Sequence, residues 1–293
     1  MTEATSPNLQ ADYAGEVDAQ LPGLLSPEFW QETFALNRRL FIQLKRRPTS
    51  FAVGIVQPLL WLLLFGSLFQ NAPQGIFGDT QSYVQFLGAG VIVFTAYGGA
   101  LNAGLPVLFD REFGFLNRLL VAPLASRFSI VLASAFYIVS LALVQTAVIV
   151  GASYVLGAGI PNPIGLGLVI AIVSLLVLGF TALSLGLAFA MPGHVELLAV
   201  IFLINLPLIF SSTALAPLSF MPTWLKWVAS LNPLTHAIEP IRHLYTHTDW
   251  AWSDIVLHAP WGDLSLLGSL GALSLFVVVS VTLVQGVLRK VLA

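Results

Sequence analysis

Residues 164–190 read IGLGLVIAIVSLLVLGFTALSLGLAFA, without a single Asp, Glu, Lys, Arg or His. A helix needs about 20 mostly apolar residues to cross the hydrocarbon layer of a membrane, so this stretch decides the class of the protein. Five further stretches have the same character: 51–69, 84–109, 128–156, 197–218 and 264–288. The expected architecture is an all-α integral membrane protein with six spans. Composition agrees: of 293 residues, 57% are hydrophobic and only 9% charged, whereas soluble domains are about a quarter charged. The absence of cysteine rules out a disulfide framework, a thiolate metal site and a catalytic thiol. Ion-coupled transporters keep ionisable groups inside the bilayer. The uncharged spans therefore point to a driving energy supplied from elsewhere.

The charges are sorted by side. Arg38, Arg39, Lys45, Arg46 and Arg47 precede the first span, Arg111, Arg118 and Arg127 follow the second, and Arg289 and Lys290 follow the sixth. Of the 12 basic residues, only Lys226 and Arg242 fall on the other side. Cytoplasmic loops carry the Lys/Arg excess, which places both termini in the cytoplasm. Residues 1–23 are acidic and polar, with Glu3, Asp12, Glu16 and Asp18, and lack the basic start and apolar core of a secretory signal. They read as a disordered tail. Residues 24–48 read as an amphipathic interfacial helix. It opens at Ser26-Pro27-Glu28, a good N-cap, first position and first turn, and carries a stripe of Trp30, Phe34, Phe41 and Leu44. Residues 49–293 form the six-span domain.

Two connections stand out. The loop after the second span runs Asp110-Arg-Glu-Phe-Gly-Phe-Leu-Asn-Arg-Leu-Leu-Val-Ala-Pro123, with Phe115, Leu116, Leu119 and Leu120 at helical spacing. It reads as a short amphipathic helix on the cytoplasmic face. Capping of the membrane surface and docking of a cytoplasmic motor protein both fit that pattern. The segment 216–263 holds five of the seven tryptophans, a residue that favours the headgroup layer. It reads as one or two short helices dipping into the outer leaflet, separated at Asn232-Pro233.

Candidate chemistry is sparse. Glu239, His243 and His247 are four apart and share a face if the helix continues, which would suit a divalent metal. Ordinary polar surface is the commoner meaning of that spacing. The three lysines, Lys45, Lys226 and Lys290, all lie outside any Gly-Lys-Ser/Thr context, so the chain carries no P-loop for ATP. Gln57, Asn102, Gln145, Thr181, Asn205 and Gln285 are the clearest polar groups within the spans, and interhelical hydrogen bonding accounts for most such residues. Gln57-Pro58 and Asn205-Leu-Pro207 pair an amide with a proline bend, as suits a wall that changes shape.

The loop Asp110–Pro123 and the segment Leu231-Asn-Pro-Leu-Thr-His-Ala-Ile-Glu-Pro-Ile-Arg242 resemble the type 2 ABC exporter permeases. That family includes drug, lipo-oligosaccharide and polysaccharide exporters, and the likeness covers residues 27–290. The overall look is closest to its drug-export-like branch of cyanobacteria and algal plastids. The resemblance implies two permease chains, a homodimer in the simplest case, with two ABC ATP-binding subunits that hold the ATP and magnesium. This chain itself would bind no cofactor and catalyse no reaction. Asp110, Arg111, Glu112, Leu116, Arg118, Leu119 and Leu120 would couple to the ATPase, with 24–48 as the connecting helix. Gln57, Trp61, Phe202 and Asn205 would line the path of an amphipathic drug, lipid or glycolipid. Asn232, Pro233 and Glu239 would belong to external re-entrant helices. The membrane would be the bacterial inner membrane or a plastid membrane. Many relatives carry Gly-Thr-Leu-Glu after the Arg-Glu pair, where this chain has Gly114-Phe-Leu-Asn117. The missing second acid bears on which ATPase it accepts.

Overall fold

A computed structural model describes residues 26–46, 48–71, 77, 80, 82–114 and 128–292. The acidic tail at 1–23 and most of the expected coupling helix, including Leu116, Arg118, Leu119 and Leu120, lie outside the described residues.

Helix α1 (Pro27–Arg46) begins where the sequence places it, with Ser26 Oγ accepting from Phe29 N at 3.2 Å. Its packed side differs from the expected stripe. Phe29 and Thr33 are buried, and Asn37 donates to Ala133 O at 3.0 Å, whereas Phe34 is 65% exposed. Trp30 and Phe41 lean on Phe136 and Tyr137 of the helix beneath. The rest of the aromatic stripe faces outward, where lipid can cover it.

Helix α2 (Pro48–Leu68) is followed by α3 (Tyr83–Leu101), α4 (Leu105–Glu112), α5 (Phe128–Val155) and α6 (Pro163–Ala190). Capping side chains define two of the starts: Ser82 Oγ accepts from Gln85 N, and Asn162 Oδ1 accepts from Gly165 N. These side chains satisfy backbone donors that the first helical turn leaves free. Then come α7 (His194–Phe210), α8 (Thr223–Leu231), α9 (Pro233–Thr246) and α10 (Leu266–Leu292). Among the described residues, five helical segments can cross a membrane by length and composition: Phe51–Leu68, Tyr83–Glu112, Ser129–Val155, Pro163–Ala190 and Leu266–Val287.

The expected fifth span, 197–218, is shorter in the structure. Helix α7 has 17 residues, about 25 Å at ~1.5 Å per residue, against about 30 Å of hydrocarbon. Pro207 lies in its last turn, and beyond Phe210 the Ser212 hydroxyl donates back to Ile209 O at 2.6 Å. Such local side-chain bonds compete with helix propagation.

Helix α3 is the centre of the bundle and is buried along most of its length. It packs on α2, α5, α6 and α9, while α10 lies along α6. Glycines set the α6–α10 approach. A Cβ at Gly179 would lie 2.4 Å from the Phe276 ring, and one at Gly186 would lie 2.9 Å from Val284. Without a hydrophobic drive between helices in lipid, close packing at small residues holds them together. The connection from α9 to α10 contains an antiparallel hairpin, β1 (Ile255–Ala259) and β2 (Gly262–Ser265). Its turn needs Gly262, whose φ is 143°. This hairpin was not expected from the sequence.

Candidate functional site

The expected second span, 84–109, is two helices. Leu101 ends α3, and residues 102–104 form a turn before α4 starts at Leu105. Pro106 falls in the first turn of α4, where it is tolerated. The break leaves backbone groups without helical partners, and one side chain of α6 satisfies two of them. The Ser184 hydroxyl donates to Leu101 O at 2.6 Å and accepts from Gly104 N at 2.9 Å. Asn102 Nδ2 donates back to Gly98 O at 2.8 Å. Gly104 is required here, because a Cβ would lie 2.3 Å from the Ser184 carbonyl oxygen.

Helix α4 ends in Asp110-Arg111-Glu112, and each of the three joins a different element. Asp110 forms a two-pronged ion pair with Arg39 of α1, with both N···O distances 2.8 Å. Arg111 donates to the carbonyls of Phe189, Met191 and Pro192. A cation there complements the negative end of the α6 dipole. Glu112 Oε1 accepts from His194 N at 2.6 Å, and Oε2 lies 2.6 Å from His194 Nδ1. Glu112 thus supplies the cap that Gly193, the N-cap residue of α7, lacks. Within the chain, these three residues tie α1, α6 and α7 together just before residue 115. Arg39, Ser184 and His194 were not singled out for this role. Pro106 inside the supposed span was the available signal for the break.

A second node lies at the opposite end of the bundle. Arg242 of α9 is 7% exposed and its Nη1 lies 2.6 Å from Glu239 Oε1. It also donates to Thr213 O at 2.8 Å and, at longer range, to Phe86 O, with the guanidinium 3.7 Å from the Phe86 ring centre. Thr213 lies in the non-helical stretch after α7, which is buried against α3. A Cβ at Gly90 would lie 2.5 Å from Ala214 O. Irregular backbone survives at membrane depth only where protein satisfies it, and Arg242 does so here. Asn232 caps α9 through Leu234 N and donates to Leu208 O at 2.7 Å, so it joins the end of α7 to α9. Pro233 is the first residue of α9.

The three residues weighed as a metal triad do not assemble, in line with polar surface as the commoner meaning of their spacing. Helix α9 ends at Thr246, and His247 is extended, with φ −120° and ψ 122°. Glu239 is paired with Arg242, and His243 Nε2 lies 3.0 Å from Asp254 Oδ2. The His243 and His247 rings stack at 4.3 Å. Among the described residues no group of three His, Cys, Asp or Glu side chains is placed to hold a metal ion.

The four path residues fall as two pairs. Gln57 is exposed on α2, and one turn on Trp61 stacks on Phe65 at 5.1 Å. On α7, Phe202 is 72% exposed and Asn205 is half-buried. Helix α2 packs on α3 and α5, whereas α7 meets α4 and α6.

The ABC-2 type transporter profile matches residues 31–246. The chain belongs to that family. It is 53% identical to a protein of Porphyra purpurea named as a transport permease, ycf38, over 92% of each chain. Its identity to the ycf38 of Cyanophora paradoxa is 50%, over 90% of this chain and 91% of that one. The daunorubicin resistance ABC transporter permease protein DrrB1 of Streptomyces coeruleorubidus is 29% identical over 73% of this chain and 75% of its own. The protein is thus the membrane permease subunit of an ABC transporter, and permeases of this family work with ABC ATP-binding subunits.

Proposed function

We propose that this chain is one of two permease copies in an ATP-driven exporter of an amphipathic or lipid-like molecule, with ATP hydrolysed on two partner subunits. The observation that carries the reading is the Asp110-Arg111-Glu112 node. Three neighbouring side chains anchor three elements at the root of the 115–127 segment, which is where a cytoplasmic motor would push. Displacing that segment would move the end of α4 and, through Glu112–His194, the start of α7.

Helices α2 and α7 leave most of their surface uncovered, which supports them as the lining of a path shared with a second copy. Gln57 supports this, because an exposed amide on a membrane span is costly against lipid. The Lys/Arg excess favours the node and, with α7 counted as a sixth crossing, both termini on the cytoplasmic side, in a bacterial inner membrane or a plastid membrane. The drug-resistance name of the Streptomyces relative favours outward movement. Asn232, Pro233 and Glu239 sit where an external closure would be.

The test is gentle purification of the tagged chain from its own host, followed by identification of what accompanies it. A stoichiometric P-loop ATPase, stimulated by amphipathic compounds, supports the proposal. A chain that purifies without any ATPase and transports under ATP depletion overturns it.

A further inference from the structure

Helix α2 carries Pro58 in its interior, buried on the side that meets the bundle. Proline has no N–H, so the carbonyl of Gly54, four residues back on the same side, loses its helical donor. No water reaches the hydrocarbon layer to replace it. A proline is tolerated in a membrane helix where a neighbouring helix satisfies the freed group.

Gln145 of α5 stands at that place. A Cβ at Gly54 would lie 2.5 Å from Gln145 Nε2, and one at Gly99 of α3 would lie 4.0 Å from its Oε1. The amide fills the slot between two glycines, with its donor end toward α2. Gln145 is 5% exposed, and among the described residues its amide makes no hydrogen bond. Buried amides are ordinarily paired, and an NH2 group brings two donors. Residues 51–69 and 128–156 hold no charged side chain to compete for it. A carbonyl without a donor and an amide without an acceptor thus meet at the contact of α2 with α5.

We infer that Gln145 donates to the Gly54 carbonyl and clasps α2 to α5 at the proline. It is then a positioning residue for the part of α2 that follows, where Trp61 stacks on Phe65 and lies 6.1 Å from Phe94 of α3. The structure holds the clasp open, with the amide against Gly54 and unbonded, and a small turn of α2 or of the side chain closes it. Its bearing on transport rests on the reading of α2 as path lining, whereas the clasp itself does not.

The test is a double-mutant cycle in the full chain, unfolded in mixed micelles. Pro58→Ala returns an N–H to α2, so that the Gly54 carbonyl regains a donor within its own helix. Gln145→Met keeps an unbranched side chain and removes the amide. A hydrogen bond between membrane helices changes the unfolding constant about threefold on average and up to about twentyfold. Gln145→Met is therefore expected to raise that constant by about threefold to twentyfold in the native background, and to leave it nearly unchanged beside Pro58→Ala. Lost packing alone would cost the same in both. Hydrogen exchange over residues 54–62 reads the position of α2, and it should speed up in Gln145→Met and recover in the double variant. Equal losses in the two backgrounds, failure to fold included, overturn the donor assignment. A cycle that couples while exchange in α2 stays unmoved overturns the positioning role. The cycle needs no transport, so it stands or falls apart from the path reading, which the copurification test decides.

Discussion

Replacing Ser184 by Ala removes one oxygen atom and leaves everything else in place, so its effect can be reasoned closely. The hydroxyl is fully buried and bridges the gap between α3 and α4, with bonds of 2.6 Å to Leu101 O and 2.9 Å to Gly104 N. Without it, a carbonyl and an amide lose their partner where water does not reach. An orphaned buried polar group costs about 1–3 kcal/mol, which gives about 2–6 kcal/mol for two. Measured hydrogen bonds between membrane helices are weaker, averaging about 0.6 kcal/mol, because the unfolded chain also finds partners in lipid. The backbone at residues 102–104 can also relax into a tighter turn. The expected loss is therefore about 1–3 kcal/mol, read by equilibrium unfolding in mixed micelles. Hydrogen exchange should speed up at Gly104 and the first turn of α4, and not in α10. ATPase activity should become less dependent on substrate, since α4 would be less firmly anchored to the fixed α6. A loss below about 0.5 kcal/mol with unchanged exchange at Gly104 would refute the idea that this hydroxyl holds the break together.

Three other perturbations test the remaining nodes. Arg242→Ala strands Glu239 and frees Thr213 O, and should destabilise the fold by about 3–5 kcal/mol. The double change Arg242→Met with Glu239→Leu should recover much of that in the same unfolding assay. Glu112→Gln keeps a cap on α7 but removes its charge. It is expected to leave membrane insertion and ATPase copurification intact while lowering substrate-stimulated ATP hydrolysis, so loss of copurification instead would place Glu112 in direct contact with the partner. Asp254 is held below its ordinary value of 3.8, first by the Ala251 amide and then by His243. A lowered folded value means the contribution is complete above that range and is lost as pH falls through it. Acidification from pH 5 to 2 should loosen the loop at residues 251–254 before the bundle, seen as a separate step in Trp252 fluorescence.

The spans were legible because bilayer thickness and apolar run length are nearly the whole of that signal. The start of α1 was legible too, since Ser26, Pro27 and Glu28 carry it locally. What stayed hidden depended on long-range partners. Span two looked continuous because Asn102, Ala103 and Gly104 are uncharged, and nothing near them announces that Ser184, eighty residues away, will satisfy the break. The side of α1 that packs on the bundle, around Phe29 and Thr33, was not foreseen, because the aromatic stripe beside it is the stronger signal in the sequence. The triad Glu239, His243 and His247 failed for a local reason: the helix stops at Thr246. Asp110, Arg111 and Glu112 were named through the family resemblance, and the sequence did not tell that they also have partners in the same chain.

The distribution of tight packing argues for which parts move. Helices α6 and α10 are keyed by Gly179 against Phe276 and Gly186 against Val284, and α3 is locked to the buried loop by Gly90 against Ala214. Close-packed contacts of this kind resist small displacements. Helix α7 is different. Phe202 and Leu203 are more than 70% exposed, and its firm ties are at its ends, Glu112–His194 at one and Asn232 to Leu208 at the other. A helix held at both ends, with Leu197 and Ile201 its two buried side chains, can tilt or rotate at less cost in packing than the keyed helices. Each end tie also belongs to one of the two polar nodes. A push on the segment after Glu112 would reach α7 through one tie and the Arg242–Glu239 cluster through the other. The α3–α6–α10 frame would stay fixed.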